Sequence, residues 1–399
     1  MLTAFHGDRH PLTLSSDNPG NFMTLPSFTR RHFSMAAGAA LVAGFHGAQA
    51  QESRIVLGQS AAFSGPAAQL GIQFHKGAKL YFDQLNAQGG NGRRTIEIRN
   101  LDDGYEPDRC AENTRKLLSD DVFALFGYIG TPTSVVAQPM AVKDGVPFFA
   151  PFTGAMALRQ PFSRYPFHMR ASYHDETALI VKHLTSIGLK KIAVFYQNDA
   201  YGKAGLDGVQ AALAARGLKP VALATVERNS VNVAEAAATL TAAGPDAVVQ
   251  ISAYKSCAAF IRAARTAAYR GMFFNVSFVG TQALADDLGK DGAGVAVSQV
   301  VPSPYNAALP ITREFVAAAK KAGNVQVNFS SMEGYLAAKV FSEGLRRGGK
   351  ATREALISGL ESIHEQSFGG FSASFSPSSH VASNFVELSM LTGDGRVRT

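Results

Sequence analysis

Apolar positions in this chain follow two alternating rhythms. Short apolar runs rich in β-branched and aromatic residues recur at Arg54–Gln59, Thr95–Asn100, Val122–Phe126 and Val146–Ala150. Runs of that length and content suit strands of a buried parallel sheet. Between them the apolar residues recur every three or four positions, as in Leu70, Phe74, Ala78 and Leu85, which predicts helices over Leu70–Asn86, Asp108–Ser119 and Pro132–Lys143. After an aperiodic segment, Phe162–Ser172, the alternation restarts. Helices are expected over Glu176–Ile187, Tyr201–Arg216, Val233–Ala243 and Ser256–Ala268. Strands are expected over Lys191–Tyr196, Lys219–Val226, Ala247–Ile251, Met272–Val276 and Val295–Val300. Pro302-Ser303-Pro304 breaks this series, three helices follow (Pro310–Ala322, Ser331–Arg347, Thr352–Glu361), and Gly369-Gly370 precedes two strands, Phe371–Phe375 and Val386–Leu391.

Strands alternating with helices predict doubly wound α/β sheets. Two such series with three breaks predict a chain that leaves one unit, builds a second, returns, and leaves again. The expected fold is therefore two doubly wound α/β lobes joined by three crossover hinge segments. One lobe spans 51–170 plus 303–368 and the other 171–302 plus 369–399. A cleft with several covalent hinges can close around a small molecule.

The stretch Val122–Gly154 carries the candidate chemistry. Both of its strands run into a loop holding a threonine and a glycine, Gly130-Thr131 and Thr153-Gly154. Ligands of open parallel sheets sit beyond the carboxyl ends of strands, near helix N-termini. Hydroxyls and free backbone N–H groups there suit a carboxylate. In the alternative reading these are ordinary turns, and Thr131 only caps the helix that Pro132 opens.

The 399 residues leave room for two domains, and the hydrophobic content of 46% is that of a globular chain. The net charge of +7 is dispersed, with no basic run longer than a pair, so no nucleic-acid partner is expected. Thr29-Arg30-Arg31-His32-Phe33 resembles a twin-arginine export motif. An apolar stretch of small residues and the cleavage-type Ala48-Gln49-Ala50 follow. Residues 1–50 are thus expected to be a signal peptide, with Met23 a plausible true start and 1–22 an extension, which leaves +6 on the mature chain. Cys110 and Cys257, far apart in helical segments, are expected to be separate buried thiols. Neither has metal-site spacing, and no metal or cofactor is expected.

Five segments, in order and at the expected spacing, resemble one family: Phe63-Ser64-Gly65-Pro66, Ala87-Gln88-Gly89-Gly90, Asp102-Asp103-Gly104-Tyr105-Glu106-Pro107, Tyr201-Gly202 after Asn198-Asp199, and Glu333-Gly334-Tyr335. From Arg54 onward the chain resembles the type I periplasmic solute-binding proteins of branched-chain amino acid (Leu/Ile/Val) ABC transporters. The resemblance implies the type I periplasmic-binding-protein fold, a periplasmic location, a small-molecule solute held in the cleft and a membrane ABC permease as partner. It places Ser64, Thr131, Phe152, Thr153 and Gly154 on the first-lobe side of the pocket. Tyr201, Tyr254, Ser277 and Phe278 fall on the second-lobe side. Aromatics there would close over an apolar ligand body.

The departures from that family matter too. Ser277 stands where the amino-acid binders carry the acid that pairs with the ligand ammonium. Asp175 or Glu333 could supply a charge instead, or Asp175 could cap the helix that starts near Glu176 and Glu333 could sit in the first turn of its helix. A carboxylate without an ammonium fits as well. Tyr105 and Gly130 occupy the two positions of the family disulfide. Two rival functions remain: a ligand-sensing receptor on the same fold without a permease, and, more distantly, a hydrolase. No G-x-S-x-G elbow or phosphate-binding loop is present, and the histidines are scattered.

Overall fold

The computed structural model describes residues 54–399; the expected signal segment lies outside them. The first lobe is built on a five-stranded parallel sheet. Its strands are β1 (Ile55–Ala61), β2 (Ile96–Asp102), β3 (Ala124–Phe126), β4 (Phe148–Phe149) and β5 (Pro166–Phe167), in the spatial order β2-β1-β3-β4-β5. Alternation along these strands divides the core in two. Leu125 and Phe148 face Cys110 and Leu117 of α2 (Pro107–Ser119) and Ala137 of α3 (Thr131–Lys143). Phe126 and Phe149 face the other way, toward Phe74 and Phe82 of α1 (Ala68–Ala87).

The chain then crosses to a second sheet. Strands β6 (Ile192–Gln197), β7 (Leu223–Val226), β8 (Ala247–Ile251), β9 (Met272–Asn275) and β10 (Ala296–Gln299) are parallel, in the order β10-β9-β8-β6-β7. Helices α4 (Tyr173–Ser186), α5 (Ala200–Ala214), α6 (Ala234–Ala242), α7 (Tyr254–Thr266) and α8 (Thr281–Leu288) are interspersed with them. Phe195 of β6 stacks on Phe260 of α7 at 4.3 Å. The eight-residue α8 was not expected; it is too short to show a helical period.

On its return the chain adds α9 (Pro310–Ala322), α10 (Phe329–Gly348) and α11 (Arg353–Glu361) to the first lobe. Phe341 of α10 meets Phe126 and Phe149 edge-on, at 5.8 and 5.2 Å. Helix α10 also lies hard against α1. A side chain at Gly77 would come within 1.8 Å of the Ser331 carbonyl, and one at Gly334 within 2.0 Å of the Phe74 carbonyl. The Glu333-Gly334-Tyr335 segment is therefore a close-approach device as well as a family mark.

The third crossing lies later than Gly369-Gly370 suggests. Those glycines turn a small hairpin between β11 (Gln366–Ser367) and β12 (Ser372–Ala373). The chain then stays with the first lobe: Phe375 packs edge-on against Phe167, and Val381 bridges to His168. Only β13 (Glu387–Leu391) and β14 (Val397–Arg398) join the second sheet, antiparallel at its β10 edge. The glycine pair supplies positive φ for a tight turn, which in sequence looks the same as a hinge. Cys110 and Cys257 are buried free thiols, one in each lobe.

Candidate functional site

The carboxyl ends of β3 and β4 are zipped together. The Phe152 N–H donates to the Tyr128 carbonyl at 2.7 Å and the Gly130 N–H to the Phe152 carbonyl at 3.3 Å. This register places the Thr131 and Thr153 Oγ1 atoms 2.6 Å apart, both fully buried. Thr131 does not cap α3. That position belongs to Gly130, at φ 94°, and makes no side-chain cap bond. Thr153 Oγ1 accepts from the Ala155 N–H at 3.2 Å. Two hydroxyls that share one hydrogen bond keep one proton for an incoming acceptor.

Gly130 also sets the floor. A Cβ there would lie 2.2 Å from the Tyr105 ring. The two positions of the resembled family's disulfide thus meet in space, filled by an aromatic ring over a glycine. Gly154 is equally tight: its carbonyl accepts from the Tyr173 N–H at 2.8 Å, and a Cβ would fall 2.6 Å from that nitrogen.

Aromatic rings of both lobes converge on these loops. Phe278, on the turn after β9, lies 5.8 Å from Phe152, 5.7 Å from Tyr105 and 4.5 Å from Tyr201. Tyr173 lies 5.3 Å from Tyr201. The Tyr201 hydroxyl and Gln197 Oε1 are buried without a hydrogen-bond partner; the Tyr173 hydroxyl makes no bond of normal geometry, although it lies close enough to Thr153 for that residue to lower its pKa. Burial drives the Tyr201 phenol well above its usual range and the Tyr173 phenol up to about 12, so both are neutral donors. Buried polar groups are normally paired. Tyr173 lies beside Thr153, Tyr201 beyond it, and Gln197 at the Tyr105 ring over Gly130, so these groups mark a place where a polar ligand would complete the bonding.

Tyr254 opens α7, 5% exposed, its hydroxyl near the backbone of Gln69 in the first lobe. Ser64 is exposed and set apart from the threonine pair, its hydroxyl donating to Asp102 at 2.5 Å. The lobes are joined at the rim beside it. Asn229 donates to the Gly104 carbonyl at 3.0 Å, and Arg228 pairs with Glu106 at 2.8 Å.

The largest departure from the sequence reading is a buried ionic group. Arg170, on the first crossing, holds Glu333 through two parallel bonds of 2.8 and 2.7 Å and donates to Ser277 Oγ at 3.2 Å. Its guanidinium lies 3.9 Å from the centroid of the Phe152 ring. Burial opposes the charge, but Glu333 more than offsets that and holds the Arg170 pKa above its usual value. Ser277 in turn gives its N–H and hydroxyl to Glu176, at 2.7 and 3.0 Å; Ser298 adds a third donor at 2.6 Å. Burial raises the Glu176 pKa against the pull of Arg170 and these hydroxyls. Arg159 is 8% exposed and donates to three carbonyls, those of Thr153, Arg170 and Ala171. Burial and the neighbouring Arg170 lower its pKa to about 10, which leaves it charged at neutral pH.

Arg170, Arg159, Tyr173 and Glu176 were not singled out from the sequence. The first three lie in or beside the aperiodic 162–172 segment, where no pattern announces burial. Asp175 follows the plainer of its two readings: it closes a capping box with Ser172 at the start of α4.

A family model described as periplasmic binding protein matches residues 54–394. The Leu/Ile/Val-binding protein homolog 7 of Brucella suis biovar 1 (strain 1330) is 27% identical over 339 residues, covering 79% of this chain and 82% of its own. Among solved structures, a possible leucine/isoleucine/valine-binding protein from Rhodopirellula baltica SH 1 superposes with a TM-score of 0.83. It is 33% identical, over 87% of this chain and 96% of that one. A substrate-binding periplasmic protein from Ralstonia solanacearum gives 0.81 and 31%, over 86% and 99%.

Proposed function

The chain belongs to the periplasmic binding protein family, and from that premise we propose that it captures a small carboxylate-bearing solute between its lobes and delivers it to a membrane ABC permease. The relatives named above are binding proteins rather than enzymes, and membership implies a periplasmic location. Among the described residues no helix is long and apolar enough to cross a membrane. In this reading Thr131 and Thr153 receive the carboxylate, with the Gly154 loop beside them. Phe152, Tyr201 and Phe278 wall the ligand body, while Tyr254 closes the second-lobe edge. Ser277 acts through Arg170 and Glu176, and Ser64 holds the rim loop. In this reading the lobes divide as 54–170 plus 303–382 and 171–302 plus 383–399, a division that the late third crossing supports. Export follows the twin-arginine route, so replacing Arg30 and Arg31 by lysine should retain the precursor in the cytoplasm.

The observation that carries the proposal is the buried threonine pair at the ends of two adjacent parallel strands, with Tyr173 beside it. A thermal-shift screen of amino acids, aromatic acids, dicarboxylates and amides tests it. A ligand that binds only the folded form raises the unfolding temperature. Stabilisation by carboxylates and not by their amides is the expected result; stabilisation by amides alone would sink the carboxylate reading.

A further inference from the structure

From the way every acid at the cleft is already engaged, we infer that the solute is an organic acid without an ammonium group, and that an α-amino acid is the poorer ligand. The inference rests on the cleft being a carboxylate site.

An α-amino acid brings a cation that must be answered when it is buried. Five acids near the cleft could answer it. Asp199 already holds the Tyr201 N–H, Gln197 and Arg228, and Asp103 holds Ser60 and the Tyr105 N–H. Glu333 has both oxygens on the Arg170 guanidinium. Glu176 has both oxygens on the Ser277 and Ser298 donors. Asp175 is tied to the Ser172 N–H and hydroxyl, at 2.9 and 2.6 Å. None is free to turn toward a ligand without leaving a buried donor or cation unmatched.

Backbone carbonyls are the next resort of an ammonium. Those of Thr153, Arg170 and Ala171, on the loop and crossing beside the threonine pair, already receive Arg159. The ring of Phe152, next to Thr153, is already covered by a cation, Arg170. What remains unsatisfied there includes two phenol hydroxyls, an amide oxygen and the Nε of Arg159, none of them an acid. Arg159 has no carboxylate among its hydrogen-bond partners, and the Arg170 charge is matched once, by Glu333. Arg170 and Arg159 are balanced by Glu333 and Glu176, and the site has no negative charge to spare for an ammonium. The free hydroxyls suit a keto or hydroxyl oxygen where an amino acid would carry nitrogen.

Calorimetric titration of the purified protein with ligands of shared skeleton tests this. The panel pairs leucine with isocaproate and ketoisocaproate, and phenylalanine with phenylpropionate and phenylpyruvate; leucinamide is added as an ammonium without a carboxylate. For at least one skeleton, the acid or oxo acid should bind more than about tenfold tighter than its amino acid. Amino acids that bind as tightly as their analogues, or more tightly, overturn this inference and leave the carboxylate site standing. Binding of leucinamide alone, or of no carboxylate in the panel, overturns both. The unmodified protein is used throughout, so no result depends on a variant folding.

Discussion

The Thr131 and Thr153 hydroxyls stand 2.6 Å apart across 22 residues of chain, held there by the pairing of the loops that leave β3 and β4. Neither hydroxyl is needed to cap α3, since Gly130 takes that place. Replacing Thr131 by valine keeps the shape and removes a donor. Affinity for a carboxylate ligand should fall by about 1–3 kcal/mol, from a buried acceptor left unmet. Calorimetry on the folded variant decides it; unchanged affinity would remove Thr131 from the site.

Tyr201→Phe should act in opposite directions on stability and binding. Its hydroxyl is buried and unpartnered, so deleting it should leave the ligand-free protein as stable or stabilise it slightly, by up to about 1 kcal/mol. Ligand affinity should drop several-fold if the hydroxyl's partner is the ligand, as proposed. Chemical denaturation and titration of the same preparation read both effects. A loss of stability with binding intact would make Tyr201 a packing residue only.

Two ion pairs should differ widely in worth. Glu333→Gln leaves Arg170 as a buried guanidinium without its counter-charge, and should cost about 3–5 kcal/mol of folding stability. Glu354→Gln breaks a pair with Arg164 whose side chains are 49% and 63% exposed. It should cost less than about 1 kcal/mol. Urea midpoints with a common slope compare them directly, and similar losses would contradict the role given to Arg170–Glu333.

The adjacent carboxyls Asp102 and Asp103 titrate in opposite directions. Burial pushes Asp103 up to about 6, against hydrogen bonds from Ser60 and Tyr105. Burial works the same way on Asp102, but bonds from Ser64, Phe63 and Gly104 prevail and bring it down to about 2. Between pH about 4 and 6 the unfolded chain loses the Asp103 proton while the folded protein keeps it, so stability falls as pH rises through this window. Above about 6 the term is constant. The Asp102 contribution is present above its usual value and is lost only as pH falls toward 2. Asp103→Asn should therefore flatten the decline between pH 4 and 6, by roughly 1–3 kcal/mol relative to the unsubstituted protein. Parallel slopes for the two proteins would assign the decline to other groups.

Much of the architecture can be read from local pattern. Apolar runs such as Val122–Phe126 and helical spacings such as Leu70-Phe74-Ala78 depend on near neighbours in sequence, and they appear as β3 and α1 within a few residues. The Gly369-Gly370 break is legible as a break, but its use as a hairpin turn is not. The same positive φ serves a turn and a hinge.

Residue order was enough to predict an α/β protein of two lobes, the threonines at the ends of adjacent strands, and the family to which they point. All of these follow from periodicity and short motifs. Folding in three dimensions decided the charge of the cleft. Arg170 meets a glutamate 163 positions away, and Glu176 draws in serines 101 and 122 positions away. Partnerships at such separations leave no local trace, because they are set by which surfaces the two sheets bring face to face, and by the high cost of burying a charge unless another group answers it.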